Sequence, residues 1–249
     1  MNIFKQTYGY GRSLIRANTA RFNRRWYRGD KVRCNVCENN FRFFLPFGPV
    51  VRKNAICPVC RSTEADRVLW FYLSNEVLGQ KNKKKFLCFS PHPVILKKMQ
   101  GYDIDPEIAT KDYFILHQFE NKEKRLKGGV YDVIIFSRQL EFLDDDELVL
   151  SELRRLLRTG GFVILQTIVN PEMDRTYEHI VTDEDRDRLK QYYEPEVVSI
   201  YGVNFHKHLG RAGFKVEVID FAHQLGEGAI DYYQLGNGVR ETIYKCKKP

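Results

Sequence analysis

The chain has 249 residues, of which 43% are apolar, and its 40 Lys and Arg residues exceed its 32 Asp and Glu residues, a net charge of +8. The apolar fraction is enough for a packed core, which excludes wholesale disorder, and the length fits one large domain or a medium domain with a small module. Residues 1–33 contain nine basic side chains and a single acid, so they account for the whole net charge. This distribution excludes a uniformly basic protein that coats nucleic acid, and it indicates a basic arm on a neutral body.

The basic arm is predicted to span residues 1–30. It interleaves aromatic residues with arginine, which suits contact with an anionic membrane or with nucleic acid through residues 1–33, or packing on the module that follows. The arm lacks the apolar core of a secretory signal, although its composition overlaps with that of a mitochondrial transit peptide. No apolar run approaches the roughly 18 residues of a transmembrane helix. We therefore expect a cytoplasmic protein without a transmembrane segment, with peripheral membrane attachment as an alternative.

Two CxxC pairs predict a zinc ribbon over residues 31–63. Cys34 and Cys37 form the first pair, Cys57 and Cys60 form the second, and nineteen residues separate the pairs. Each pair lets a tight turn aim two sulfur atoms at one point, and four thiolates fill the tetrahedral shell of Zn²⁺, so the zinc would be structural. The alternatives are two disulfides, which need an oxidising compartment, or a redox pair.

The body of the chain, residues 64–249, alternates helix-like and strand-like segments. The apolar pattern predicts a helix from Glu64, with capping hydroxyls before it, and further helices at 93–99, 144–158 and 204–212. Short apolar runs predict strands at 86–89, 131–136, 162–165, 214–220 and 242–246. Gly160-Gly161 is predicted to end the helix before it. This alternation predicts an α/β fold, in which a parallel sheet carries helices on both faces and binds ligands at the carboxyl ends of its strands.

Several segments of the body resemble class I S-adenosylmethionine-dependent methyltransferases. Residues 131–141, the acidic helix after them and residues 156–165 are similar to the family's fourth strand, the following helix and the turn into the fifth strand. Residues 101–107 resemble the second strand with its acidic end. The resemblance implies a Rossmann-like methyltransferase sheet, and it implies that Asp103 holds the ribose hydroxyls of the cofactor.

A closer resemblance is to a bacterial subgroup of type 11-like methyltransferases that carry an N-terminal four-cysteine ribbon. Residues 57–73 are similar to the helix that leads from that ribbon into the methyltransferase domain. The resemblance implies that Ser90, Pro91 and His92 form the first cofactor-binding turn, although this turn has no glycine. It also implies that Ser137, at the end of the fourth strand, contacts the cofactor.

Two further residues are candidates for catalysis, and both lie in segments that resemble the subgroup's pattern. Glu141 and Tyr201 are expected to orient an acceptor hydroxyl. The subgroup's histidines near these positions are replaced by other residues here.

The resemblance implies methyl transfer from S-adenosylmethionine, with structural Zn²⁺ in the ribbon. The acceptor would be a small molecule or a glycan, and a sugar or surface-polysaccharide precursor is favoured. Two alternatives stay open, namely a catalytically degraded methyltransferase-like binding or adaptor protein and an RNA methyltransferase.

Overall fold

The computed structural model of the protein describes residues 20, 22–79, 84–110, 113–114, 125–173, 177–179, 182, 184, 187, 192, 196–238 and 241–249. Most of the predicted basic arm, residues 1–19 and 21, lies outside the described residues. Every helix in the described part of the chain is too short or too polar to cross a bilayer.

From Glu64 onward, helices and strands alternate as predicted. The strands are β1 (Arg28–Arg33), β2 (Asn40–Phe41), β3 (Leu45–Phe47), β4 (Arg52–Ile56), β5 (Phe86–Phe89), β6 (Glu107–Ala109), β7 (Tyr131–Ser137), β8 (Leu157–Gln166), β9 (Val169–Asn170), β10 (Tyr177–His179), β11 (Ser199–Gly202), β12 (Lys215–Ile219) and β13 (Ile243–Lys247). The helices are α1 (Glu64–Tyr72), α2 (Pro93–Gln100), α3 (Asp146–Leu156), α4 (Phe205–Arg211), α5 (Phe221–Gln224) and α6 (Glu227–Tyr233). A π-helical turn, Leu73–Val77, extends α1, and a 3₁₀ turn, Leu140–Phe142, follows β7.

The cysteine region folds as two short antiparallel hairpins. β1 pairs with β2, and β3 pairs with β4. The first CxxC turn lies between β1 and β2, and the second follows β4. We call residues 28–63 the ribbon.

Helix α1 begins where the sequence predicts it, because Thr63 caps its first turn. The Thr63 hydroxyl accepts from the Asp66 N–H, and the Asp66 carboxylate accepts from the Thr63 N–H at 2.8 Å. This reciprocal capping box satisfies backbone donors that a helix start leaves unpaired. The capping residue thus fixes the point at which the ribbon joins the body.

The central sheet has six strands in the order β12-β13-β8-β7-β5-β6. Strands β6, β5, β7 and β8 are parallel, whereas β13 runs antiparallel to both of its neighbours, β8 and β12. The prediction of a parallel sheet was therefore wrong for one strand, β13, which is reversed. An apolar run such as 243–247 predicts a strand but carries no information about its direction.

Helices cover both faces of the sheet, as predicted. Side chains alternate along each strand, so Leu87 and Phe89 of β5 face one layer while Phe86 and Cys88 face the other. The first layer contains α3 and α4. The second contains α1, α2 and the buried side chains of the ribbon, so the ribbon and the sheet share one hydrophobic core. The structure is thus a Rossmann-like α/β fold with a cysteine ribbon packed on one face.

The double glycine does not end a helix, contrary to the prediction. Helix α3 stops at Leu156, and Gly160 and Gly161 lie inside β8. A Cβ atom on Gly161 would lie 2.8 Å from the carbonyl oxygen of Tyr131. The register of β7 against β8 shifts beside this point. Glycine is therefore required here by the close approach of two strands.

Candidate functional site

The four cysteines predicted to bind zinc converge on one point. Their sulfur atoms all lie within 4.8 Å of one another. Cys34 Sγ is 3.6 Å from Cys60 Sγ, and Cys37 Sγ is 3.7 Å from Cys57 Sγ. Tetrahedral zinc with Zn–S bonds of about 2.3 Å requires sulfur atoms roughly 3.8 Å apart, whereas a disulfide needs about 2.05 Å. The donor set and its spacing therefore fit Zn²⁺.

The two CxxC turns share one backbone geometry. The N–H of Glu38 donates to the carbonyl of Cys34 at 2.7 Å, and the N–H of Arg61 donates to the carbonyl of Cys57 at 3.0 Å. Glu38 and Arg61 both have left-handed backbones, with φ of 61° and 67°. Each turn therefore folds back on its first cysteine and presents both sulfur atoms on the same side.

Contact among the thiols shifts their protonation in opposite directions. Hydrogen bonding from Cys37 lowers the pKa of Cys34, and hydrogen bonding with Cys34 raises the pKa of Cys57. Ionisation of all four sulfur atoms requires a cation among them.

A fully buried arginine, Arg67 of α1, packs beside this cluster. Its guanidinium donates to the carbonyls of Ser62 at 2.8 Å, Ala55 at 3.0 Å and Gln234 at 2.6 Å. It also lies over the Phe44 ring, 4.6 Å from the centroid. Arg67 therefore joins the ribbon, α1 and the segment after α6.

The charge of Arg67 complements that of the cluster. Burial lowers the pKa of Arg67, and the negative charge of Cys34 and Glu64 opposes that effect. Zn²⁺ with four thiolates carries two net negative charges. The buried Arg67 guanidinium offsets part of this negative charge at a position that water does not reach.

A cleft of about 330 Å³ lies at the carboxyl ends of β5 and β7. Its walls come from these strand ends, from α1 and α2, and from the ribbon, and they include Ser90, Ser137, Asp66, Met99 and Phe47. Its volume falls within the range of small-molecule sites, roughly 300–1,000 Å³. The strand ends of an α/β sheet are where such sites occur.

The cleft contains the turn that the sequence predicts for the cofactor. Ser90, Pro91 and His92 follow β5 directly and line the cleft. Ser90 has a φ of 45°, and its N–H donates to the carbonyl of Ala109 at 2.8 Å. Serine thus adopts here the left-handed conformation that glycine adopts without strain.

His92 connects this turn to the ribbon. Its Nδ1 accepts from the Val94 N–H at 3.3 Å, which caps α2, and its Nε2 lies 3.0 Å from the carbonyl oxygen of Cys60. Because a carbonyl only accepts, Nε2 carries the proton, and a single neutral tautomer satisfies both contacts. The second CxxC turn therefore supports one wall of the cleft.

Ser137 also lies on the cleft, at the end of β7. Its hydroxyl donates to Gln166 Oε1 at 2.8 Å, and Gln166 Nε2 donates to the carbonyl of Glu241 at 3.1 Å. The predicted cofactor residues Ser90, Pro91, His92 and Ser137 are therefore brought together.

Asp103 does not join them, which corrects the role that the resemblance implies. It lies in the turn after α2 and precedes β6, so it is at the amino end of the second strand and does not line the cleft. The carboxyl end of β6 is Ala109. In the sequence the first acid after that end is Asp112, which lies outside the described residues.

Glu141 is fully buried, which corrects its predicted role of orienting an acceptor. Its Oε2 accepts from the Thr167 hydroxyl at 2.9 Å, and its Oε1 lies 3.2 Å from Arg138 Nε. Glu141 therefore acts on the cleft indirectly, because the Arg138 side chain that it holds lines the cleft.

Tyr201 is fully buried as well, so its predicted catalytic role is not supported by its position. Its hydroxyl donates to Asp146 Oδ2 at 3.2 Å, beside His208 Nε2 at 2.9 Å from the same oxygen. Burial raises the pKa of Tyr201 well above its usual value, and the negative charge of Asp146 adds to the effect. The buried, protonated Tyr201 hydroxyl therefore links β11 to α3 through its hydrogen bond to Asp146.

The sequence-based interpretation missed part of the cleft wall. Phe47 of the ribbon, Thr63 and Asp66 at the start of α1, and Arg138 after β7 all line it. The capping hydroxyls of Ser62 and Thr63 indicated a helix start, but nothing in that pattern indicated a cleft. Two distant segments meet there only after the ribbon packs on the sheet.

Comparison with known proteins confirms the methyltransferase resemblance. Residues 86–165 match the sequence family described as a methyltransferase domain. No curated protein sequence matches the chain.

Several solved structures are similar to this fold. One is a SAM-dependent methyltransferase from Archaeoglobus fulgidus, with 12% identity, a TM-score of 0.45 and coverage of 74% of this chain and 94% of that one. Another is Haemonchus contortus phosphoethanolamine N-methyltransferase 2 in complex with S-adenosyl-L-methionine, with 10% identity, a TM-score of 0.42 and coverage of 73% and 52%. The chain thus spans about half the length of the Haemonchus enzyme. A putative methyltransferase from Bacillus halodurans has 12% identity, a TM-score of 0.42 and coverage of 72% and 98%.

Proposed function

We propose that this protein transfers the methyl group of S-adenosylmethionine, which binds in the cleft at the ends of β5 and β7. The observation that carries the proposal is the position of the left-handed Ser90 turn and Ser137 on adjacent strand ends, facing one cleft of about 330 Å³. The bound cofactor would supply a methyl group on a positively charged sulfur, ready for in-line attack. Ser90, Ser137 and the wall from α1 would bind and orient it.

We also propose that the four cysteines hold a structural Zn²⁺. The sulfur spacing of 3.6 and 3.7 Å supports it, as do the paired turns and the buried charge of Arg67. Four protein ligands leave no open position, so the ion would stabilise the ribbon without acting on substrate.

Acid–base catalysis has no assigned residue, since Glu141 and Tyr201 are both enclosed. Transfer to an acceptor that is already nucleophilic depends mainly on holding it in line with the methyl group. We therefore propose positioning as the chain's main contribution.

The acceptor we propose is a sugar or a surface-polysaccharide precursor. A small cavity lined by Phe47, Thr63 and Arg138 shares these three residues with the cleft. It also shares Arg52, Glu64 and Glu241 with a larger cavity of about 390 Å³. The larger cavity adds the amide and carboxylate groups of Asn54, Asp231, Gln234 and Asn237. Such groups suit neighbouring hydroxyls better than an apolar acceptor.

A labelled-methyl assay tests the function. Zinc-loaded protein is incubated with methyl-labelled S-adenosylmethionine and with sugar nucleotides, oligosaccharides, lipids or RNA in separate reactions. We expect label in the sugar fraction. We also expect Asp231→Asn to raise KM about tenfold with little change in kcat, because it removes a charge that would only bind the acceptor.

Two controls make the assay specific. Asp30→Asn changes an exposed carboxylate on β1, and Asp103→Asn changes one outside the cleft, so both should retain wild-type kinetics. Cofactor binding without transfer to any acceptor would favour the adaptor alternative, and label in RNA alone would refute the sugar assignment.

A further inference from the structure

The junction of the arm with the ribbon exposes an unusual share of apolar surface. Among the described residues, five of the exposed large hydrophobic side chains lie between residues 22 and 51, namely Phe22, Trp26, Phe43, Val50 and Val51. Phe22 and Trp26 are each 62% exposed. Their rings stack with centroids 5.8 Å apart and planes 14° apart. Exposed apolar side chains are thus concentrated on one small module.

Basic side chains share this region. Arg24, Arg25, Arg28, Lys31 and Arg42 are all exposed. Between residues 22 and 33 the acidic side chains are limited to Asp30. We call these five basic residues, with Phe22, Trp26, Phe43, Val50 and Val51, the arm–ribbon surface.

The end of the arm is held against the ribbon by hydrogen bonds and by a contact between aromatic rings. Asn23 Nδ2 donates to the carbonyl of Pro58 at 2.9 Å, within the second CxxC turn. Arg42 Nη2 donates to the carbonyl of Trp26 at 2.6 Å, and the Tyr27 and Phe43 rings make an edge contact at 5.5 Å. The aromatic side chains are therefore presented by a folded module, so a partner need not order them.

We propose that the arm–ribbon surface binds the face of an anionic lipid bilayer. Arginine and tryptophan suit the headgroup region, where the cation meets lipid phosphate and the ring lies at the apolar boundary. The binding would be peripheral, and it does not depend on the proposed methyl transfer.

Two features favour a lipid partner over nucleic acid. Val50 and Val51, at the turn between β3 and β4, are 44% and 67% exposed. Aliphatic side chains partition into a bilayer surface but do not stack on bases. Phe22 and Trp26 already stack on each other, so one face of each ring is occupied.

Vesicle sedimentation with the full-length, zinc-loaded protein tests the proposal. The probes are phosphatidylcholine vesicles with and without about 30% phosphatidylserine. We expect sedimentation with the anionic vesicles only, and we expect added salt to weaken it because the attraction is partly electrostatic.

Variants separate the apolar from the charged contribution. Phe22→Ser combined with Trp26→Ser should weaken binding at least about tenfold, whereas Val218→Ser, which changes a 52% exposed residue on β12, should not. Arg24→Gln combined with Arg25→Gln should weaken it similarly, whereas Lys215→Gln combined with Lys247→Gln should not. Retained zinc content would show that each variant is folded.

Three results would overturn the proposal. The first is no sedimentation with anionic vesicles. The second is equal binding by the wild type and the aromatic variant. The third is displacement of the protein from the vesicles by single-stranded RNA that binds it more tightly. That result would assign the surface to nucleic acid.

Discussion

Arg67 is the residue on which the ribbon and the body depend together. Its side chain is 0% exposed, and its donors serve three backbone carbonyls from three segments of the chain. A buried cation of this kind is tolerated only when its donors are paired and negative charge lies nearby. The carbonyls and the four sulfur atoms meet both requirements.

Arg67→Met should lower the free energy of unfolding by about 3 kcal/mol, because it leaves buried carbonyls unpaired and removes the charge beside the thiolates. It should also lower the affinity for zinc. Chemical denaturation and competition with a chelator measure the two effects.

Arg67→Lys is the matched control, since it keeps the charge but not the planar fork of donors. We expect an intermediate loss of stability with less loss of zinc affinity. This role of Arg67 would be contradicted if the Arg67→Met protein had the stability and the zinc affinity of the wild type.

At the same scale, the residues of the four-cysteine cluster were predictable from the sequence, whereas those of the cleft were predictable only in part. CxxC spacing is local, and it identified all four sulfur atoms that converge. The roles of Asp103, Glu141 and Tyr201 depended on where a strand ends and on which side chains are enclosed. Neither property can be read from spacing, because β6 has only three residues and forms its pairs with a distant strand.

At the scale of the elements, helix α3 is fixed to the chain after β6 by one carboxylate, Glu152. Its oxygens accept from Arg155 at 2.7 Å, from Arg125 at 2.7 Å and from the Tyr113 hydroxyl at 2.7 Å. Burial alone would raise the pKa of Glu152, but these hydrogen bonds outweigh it and lower the pKa to about 2.

Because the folded pKa of Glu152 is depressed, its contribution to stability is complete above the unfolded value of about 4.3. It is lost as the pH falls from there toward about 2. We expect Glu152→Gln to destabilise the protein by on the order of 2–3 kcal/mol near neutral pH, and by about half as much at about pH 3.

Denaturation curves at the two pH values measure this difference. Glu147→Gln, which removes an exposed carboxylate from the first turn of the same helix, serves as the control and should show little pH-dependent change. If the free energies of unfolding of the wild type and Glu152→Gln differed by the same amount at both pH values, the stabilising role of the ionised Glu152 would be contradicted.

Elements were predicted best where a local signal marks their ends. The hydroxyl of Thr63 located the start of α1, and the apolar run of β7 was evident. The role of Gly161 was not, because it comes from the neighbouring strand that its backbone approaches. The reversed direction of β13 depends likewise on its partners in the sheet.

At the scale of the whole molecule, the ribbon forms part of the cleft that we propose for the cofactor. It shares a hydrophobic core with the sheet, contributes Phe47 to the cleft wall, and holds the Ser90–His92 turn through the Cys60 carbonyl. Composition predicted a basic arm and a neutral body, but not this joint wall, which forms only when segments far apart in sequence pack together.

The central claim is that S-adenosylmethionine binds in the cleft between the strand ends and the ribbon. Calorimetric titration of zinc-loaded protein with the demethylated cofactor, S-adenosylhomocysteine, tests it most directly. The wild type is compared with Ser137→Phe, which fills the cleft, and with Ser151→Phe, an exposed site on α3 that serves as control.

We expect the wild type and Ser151→Phe to bind one equivalent, and Ser137→Phe to lose at least about tenfold in affinity. The claim would be contradicted by a wild type that binds nothing at about millimolar ligand, or by a Ser137→Phe protein that binds as tightly as the wild type.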